Sequence, residues 1–190
     1  MLVNTLIEKL ACEGTHITGS SYNDALRYAR YAEAVIRTFS KSADDSLAIL
    51  SERTGNYHRI IGNLERSLFF FTQFHQLAKE LFDADPQNKR FKDHLAISCQ
   101  FLGDTHTALG HLDQALAFFS QYHQLEKELF DTYPQNVDFK NGLAISCQFL
   151  GDTHAALGHL DLASTFFTQF QQLAKELVAA DPQNVGFKNN

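Results

Sequence analysis

The sequence predicts an all-α fold, a right-handed superhelical solenoid of antiparallel helix hairpins. Three observations predict it. The string LAISCQFLGDTH stands at 95–106 and again at 143–154, so each position of the first copy recurs at its own number plus 48. Residues 95–142 and 143–190 agree at 34 of 48 aligned positions, and Pro86, Pro134 and Pro182 keep the same offset. Within each unit the apolar residues recur at three- and four-residue spacing, which only a helix gathers on one face, and no strand pattern competes. A fixed period of this kind marks a stack of helical units, each burying its apolar face against the next. An enzyme builds one site from different residues, whereas such an array repeats one surface and usually binds something.

In chain order, residues 1–46 read as a degenerate N-terminal repeat or cap, with a short helix near 2–13 and a clearer one near 22–40. Three units follow, 47–94, 95–142 and 143–190, as one continuous solenoid. The first of them keeps Leu47, Ala48, Ile49, Gly55, His58, Gly62 and Leu64 in register. The middle unit shows the internal plan. Cys99, Leu102, Gly103 and His106 share a stripe of the first helix, and Gly110 ends it, as glycine does just past a helix C-terminus. Leu112, Leu116, Phe119, Tyr122, Leu125 and Leu129 form the stripe of the second helix, which fades near Phe130. Pro134 suits the first turn of the next helix, which would run to Leu157, about 36 Å. Asp85 and Asp181 are the expected N-caps, with Asn136 in that role where Tyr133 replaces the aspartate. The glycine at 55, 103 and 151 costs about 1 kcal/mol against alanine inside a helix. Its recurrence predicts a close approach of the second helix, with Ala115 and Ala163 as the facing small residues.

Composition removes several function classes. The chain has 190 residues, 44% hydrophobic and 12% aromatic, with 17 Phe and no Trp, which is ample for a core. Its net charge of −6 weighs against nucleic acid, whose binders present a basic face. No apolar run is long enough to span a membrane, and the start lacks the basic and apolar regions of a signal peptide. A cytoplasmic location is the expectation. Cys99 and Cys147 are one repeat position and Cys12 stands alone, a pattern of buried thiols rather than of disulfides or zinc. Nine histidines include no pair at i, i+4, so no metal and no cofactor is expected. Gly103–His106 and its copy Gly151–His154 spell Gly-Asp-Thr-His, but no nucleophile with a partnered base accompanies them, and no catalytic residue is assigned.

The spacing resembles the tetratricopeptide repeat (TPR) family, in a long, 48-residue bacterial-type form. Leu102-Gly103, His106, Gly110, Ala115 and Phe119 follow that family's pattern, as do Leu150-Gly151, His154, Gly158, Ala163 and Phe167. The likeness covers about 47–190 well and 1–46 poorly. The usual repeat has about 34 residues, and the extra length here fits about two added turns on each helix. The large aromatic of the first helix is replaced by Ser51, Cys99 and Cys147, and the Phe-rich second helices can supply the missing volume. Thr54 for Leu and Ser67 for Ala make 47–94 the less well packed copy.

The resemblance implies a non-catalytic scaffold that takes a protein or peptide partner in a concave groove lined by the first helices. Carried over residue by residue, the contact stripe is Glu52, Asn56 and Arg59 in the first copy, with Asp45 and Ile49 in line. The second copy supplies Asp93, Ile97, Gln100, Asp104 and Thr107, and the third Asn141, Ile145, Gln148 and Asp152, followed by Ala155. The chemistry is mixed: isoleucines for an apolar line, amides to clamp a peptide backbone, and carboxylates for a basic or donor-rich partner. Phe101 and Phe149 lie beside this stripe. The last second helix, 160–179, has no following helix to cover it, and Leu162 in place of Gln114 makes it more apolar. Two expectations follow: self-association through that end, or membership of a longer array. The alternative function is accordingly a regulatory or sensor array of a larger signalling protein, such as a protease or nucleotidase.

Overall fold

The computed structural model describes residues 5, 6, 9, 19–39 and 44–180. Seven helices follow one another over 19–180: α1 (Gly19–Phe39), α2 (Asp45–Ile60), α3 (Leu64–Ala84), α4 (Lys89–Ala108), α5 (Leu112–Thr132), α6 (Val137–Ala156) and α7 (Leu160–Ala180). Among the described residues there is no strand. The hairpins are α2–α3, α4–α5 and α6–α7, and each helix packs chiefly on its neighbours in sequence. The short helix expected near 2–13 falls largely outside the described residues, as do Cys12, Asp181 and Pro182. Thr5, Leu6 and Lys9 are helical, and Leu6 joins a core cluster with Ala29, Ala32 and Ile36 of α1.

Each hairpin turns on a glycine. Gly62, Gly110 and Gly158 have φ of 77°, 78° and 80°, the left-handed region that glycine enters without cost. At the middle turn the His111 N–H donates to the His106 carbonyl at 2.8 Å and the Gly110 N–H to the Thr107 carbonyl at 3.0 Å. These are the 6→1 and 5→2 bonds of a Schellman motif. The same pair of bonds recurs at Gly62 and Gly158.

The turn between hairpins differs from the expected one. The Asn136 N–H donates to the Tyr133 carbonyl at 2.9 Å, and Asn88 does the same to Asp85 at 3.1 Å. Pro134 and Pro86 therefore occupy the second position of a β-turn, where their fixed φ fits, and stand outside the helix. The Asn136 side chain then caps α6, accepting from the Asp138 and Phe139 N–H groups, and Asn88 caps α4 through the Arg90 N–H. Asp85 lies at the C-terminal end of α3 instead. The first helix of the last hairpin starts at Val137, so its 20 residues span about 30 Å.

The recurrent helix glycine does bring the two helices of a hairpin together, against a ring rather than a small residue. A Cβ on Gly55 would overlap Phe71, one on Gly103 would overlap Phe119, and one on Gly151 would overlap Phe167. The three glycine–phenylalanine pairs keep one spacing along the chain. Ala115 is buried elsewhere, in a cluster with Phe119 and Leu150.

Hairpins join through stacked rings. Phe71 of α3 stacks on Phe101 of α4 with centroids 4.7 Å apart, and Phe119 of α5 stacks on Phe149 of α6 at the same distance. Phe101 and Phe149 are thus packing residues between hairpins. The Phe-rich helices fill the core as expected, with Phe70, Phe71, Phe74 and Phe119 all fully buried beside Ser51, Cys99 and Cys147. In the first copy Thr54 bonds back to the Leu50 carbonyl at 2.7 Å, whereas the buried Ser67 hydroxyl has no hydrogen-bond partner. At the N-terminal joint, Glu33 of α1 meets His58 at 3.0 Å and Arg66 at 2.9 Å.

Candidate partner-binding face

The first helices α2, α4 and α6 carry all twelve candidate contact residues, and none of the twelve is buried. A 4-3-4-3 spacing on a helix keeps them on one side. Arg59 donates to the Asn56 side-chain oxygen at 3.1 Å, and its positive charge bears on Asp104 of the next hairpin. Asp104 and Thr107 of α4 then share a cleft of about 330 Å³ with Asp152 of α6. Phe119, Phe149 and Leu112 form its apolar wall. Asn56, Arg59, Asp104, Thr107 and Asp152 therefore form a connected polar set across three hairpins.

The electrostatics of this set come from partial burial. Desolvation pushes Asp104 up to about 6, against the lowering effect of Arg59. Burial also raises Asp152, Asp93 and Glu52, the last opposed by Arg53. A carboxylate held in this state gains on meeting a cation or a hydrogen-bond donor, because its lost hydration is replaced.

The other members of the stripe are more committed to packing. Ile97 is half-buried against the cluster that includes Leu95 and Phe74, and Ile145 lies against Cys99 and Tyr122. Gln100 and Asn141 are half-buried, and Gln148 is exposed.

Two features escaped sequence reasoning, one because it joins residues far apart in sequence and one because it depends on the geometry of a turn. Cys99 Sγ lies 3.8 Å from His75 Nδ1, and Cys147 Sγ 3.8 Å from His123 Nδ1. The arrangement has the outline of a thiol with a base. Burial, however, pushes the Cys99 thiol up to about 12 and the Cys147 thiol to about 11, so no thiolate nucleophile forms near neutral pH. Each histidine nitrogen instead lies 2.9 Å from a serine hydroxyl, Ser98 or Ser146. The Cys147 thiol lines a furrow on the second-helix side. It lies between α5 and α7 and has about 600 Å³, with His123, Cys147 and Leu143 among its walls. The repeat offset signalled both pairs, since His75 and His123 recur with it.

The second feature is a pair of imidazoles at each of two hairpin turns. His106 Nδ1 lies 3.4 Å from His111 Nδ1, and His154 Nδ1 3.3 Å from His159 Nδ1. The Schellman motif causes this, since it sets the residue after glycine against the third helical residue from the end. Rather than filling a core aromatic position, His106 and His154 are half-buried and stack on Phe118 and Phe166. Among the described residues, no group of three or more metal-capable side chains converges, and no helix is long and apolar enough to cross a membrane.

Comparison with known proteins gives fold and nothing finer. No protein-family model matches the chain, and no curated protein matches it. Among solved structures it is similar to BtubC (BKLC) from P. vanneervenii, with a TM-score of 0.64 and 14% identity, over 83% of this chain. The chain matches 61% of the length of BtubC. It is also similar to a putative kinesin light chain from Podosopora anserina with nearly identical TPR-like repeats. That match has a TM-score of 0.50 and 11% identity, and covers 92% of this chain and 95% of the other. The fold is that of an all-α TPR-like repeat scaffold.

Proposed function

We propose that this chain is a non-catalytic scaffold that binds an extended protein or peptide segment along the face formed by α2, α4 and α6. The observation that carries the proposal is the cleft shared by Asp104 and Thr107 of α4 and Asp152 of α6. It combines an aromatic wall with two carboxylates already partly stripped of water. An apolar surface with a few convergent polar groups is what fixes the orientation of a bound segment. The Asn56–Arg59 pair continues the polar line, so a segment crossing the cleft meets groups from three hairpins.

The raised thiols of Cys99 and Cys147 favour a binding role over a catalytic one. The buried area of such a segment would supply affinity, and the carboxylates would supply selectivity for basic or donor-rich side chains. The test is selection of a random peptide library on the immobilised chain, followed by titration of the selected peptides. Asp104→Lys combined with Asp152→Lys should weaken the selected peptides at least about tenfold while leaving the thermal midpoint nearly unchanged. Unchanged affinity in the double variant would remove the first-helix face as the site.

A further inference from the structure

The two joints between full hairpins use equivalent positions, yet the first pairs an acid with a cation whereas the second gathers acids alone. At the first, Asp45 of α2 pairs with Arg90 of α4, Nη2 lying 2.7 Å from Oδ2, while His94 Nδ1 lies 3.3 Å from Oδ1 and burial holds that imidazole toward its neutral form. Ala78 of α3 lies in the adjoining core, fully buried. Adding 48 to each number gives the second joint. There Asp93 stands for Asp45, Asp138 for Arg90, Gly142 for His94 and Glu126 for Ala78. An arginine and a histidine have become an acid and a glycine, and an alanine has become a second acid.

Glu126 is the unusual member. It is 3% exposed, and its Oε2 has no hydrogen-bond partner. Its carboxyl lies over the α6 backbone at Gly142, in space that any Cβ there would fill. The negative charge of Asp93 bears on Glu126, and that of Asp138 bears on Asp93. Among the described residues, none of the three forms an ion pair. Lys92, next to Asp93 in sequence, pairs with Glu128 at 2.9 Å, and Lys140 pairs with Glu176 at 3.1 Å. A buried carboxyl with an unpaired oxygen is costly. Ala78 and Ala174 show that the scaffold does not need one at this position.

We propose that the Asp93–Glu126–Asp138 cluster receives an arginine side chain from the bound partner, in the place that Arg90 fills at the preceding joint. The chain itself shows the chemistry of the occupant, since the guanidinium of Arg90 is what pairs with the equivalent aspartate. A planar guanidinium offers five donors in a fork that can serve two carboxylates together. A neutral donor would leave their charge uncompensated, and an acidic group would add to it. The inference rests on the first-helix reading in that Asp93 belongs to that face. It adds the identity of one side chain of the partner and a fixed point for its register.

The test uses the full chain and the peptide acetyl-(Arg)₆-amide, followed by amide chemical shifts in physiological salt. The expected result is saturable binding with shifts centred on residues 93, 126, 138 and 142. Glu126→Ala restores the residue of the other two units, and it should lower the affinity at least about tenfold. Asp138→Arg places a cation of the chain's own beside Asp93 and should abolish the shifts, and as a substitution at an exposed position it serves if the first variant folds poorly. Binding unaltered by both substitutions, with shifts around Asp104 and Asp152, would overturn this inference and leave the first-helix face standing. Absence of binding to the wild-type chain would also overturn it. The face itself would then stand or fall on library-selected peptides.

Discussion

Leu102 shows how single residues divide by face. It is 2% exposed inside the middle hairpin, while Asp104, two positions on, lines the cleft. Leu102→Ala should cost about 2–5 kcal/mol, measured by denaturant unfolding. Glu126 gives a test of opposite sign. Burial, with the help of Asp93, pushes it up to about 8 from an ordinary 4.5. In the folded chain it therefore keeps a proton that the unfolded chain has released, so folding takes up a proton between those values. The contribution of Glu126 to stability then falls as the pH rises from about 4.5 to about 8. Glu126→Gln cannot titrate, and relative to the parent it should gain about 1–3 kcal/mol at pH 8 and little at pH 4.5. Asp104 and Asp93 shift in the same direction, and His75, His94 and His123 are lowered with the opposite effect on the slope; all remain in the variant, so the difference between the two curves isolates Glu126. A parent and variant with parallel pH–stability curves would contradict the assignment. The packing side of each helix was legible in the sequence, because a three- and four-residue spacing declares it. Glu126 was not. A single Ala-to-Glu change acquires meaning only when Gly142, in the following helix, is known to lie beneath it.

At the scale of elements, the glycine turns could be read directly, since a left-handed residue after a helix has few candidates. The prolines were harder. A proline ahead of a helix suits either its first turn or the β-turn before it, and here the Asn88 and Asn136 side chains decide for the turn by capping one residue before the helix starts. Asn136→Ala should cost about 0.5–2 kcal/mol of thermal or denaturant stability. The close approach at Gly103 was expected, but its partner was not. A small residue facing a small one is the simplest arrangement, whereas Phe119 instead lays its ring edge into the gap. Gly103→Ala therefore sets a propensity gain of about 1 kcal/mol against overpacking of about 1–3 kcal/mol. The collision should win, lowering the unfolding midpoint. A stabilised Gly103→Ala variant would mean that the ring moves aside freely.

Across the whole molecule, the period carries more information than any one motif. It placed the hairpins in sequence, and the structure adds how they join: Phe71 on Phe101 and Phe119 on Phe149. Phe167, the third of that series, is only half-buried, and Leu162 is 49% exposed. The face of α7 thus offers an apolar surface of the kind that α4 and α6 cover on α3 and α5. The furrow of about 600 Å³ on the second-helix side is a further place where a segment could lodge, and it was invisible in the sequence because its walls come from three helices. The polar set on α2, α4 and α6 is distinguished from both by its carboxylates and by its continuity across three hairpins. Mapping of amide chemical shifts on the full chain, titrated with a library-selected peptide, separates these surfaces. The account predicts perturbations running along α2, α4 and α6 through Asn56, Asp104 and Asp152. Perturbations confined to the α5–α7 furrow or to the outer face of α7 would contradict it.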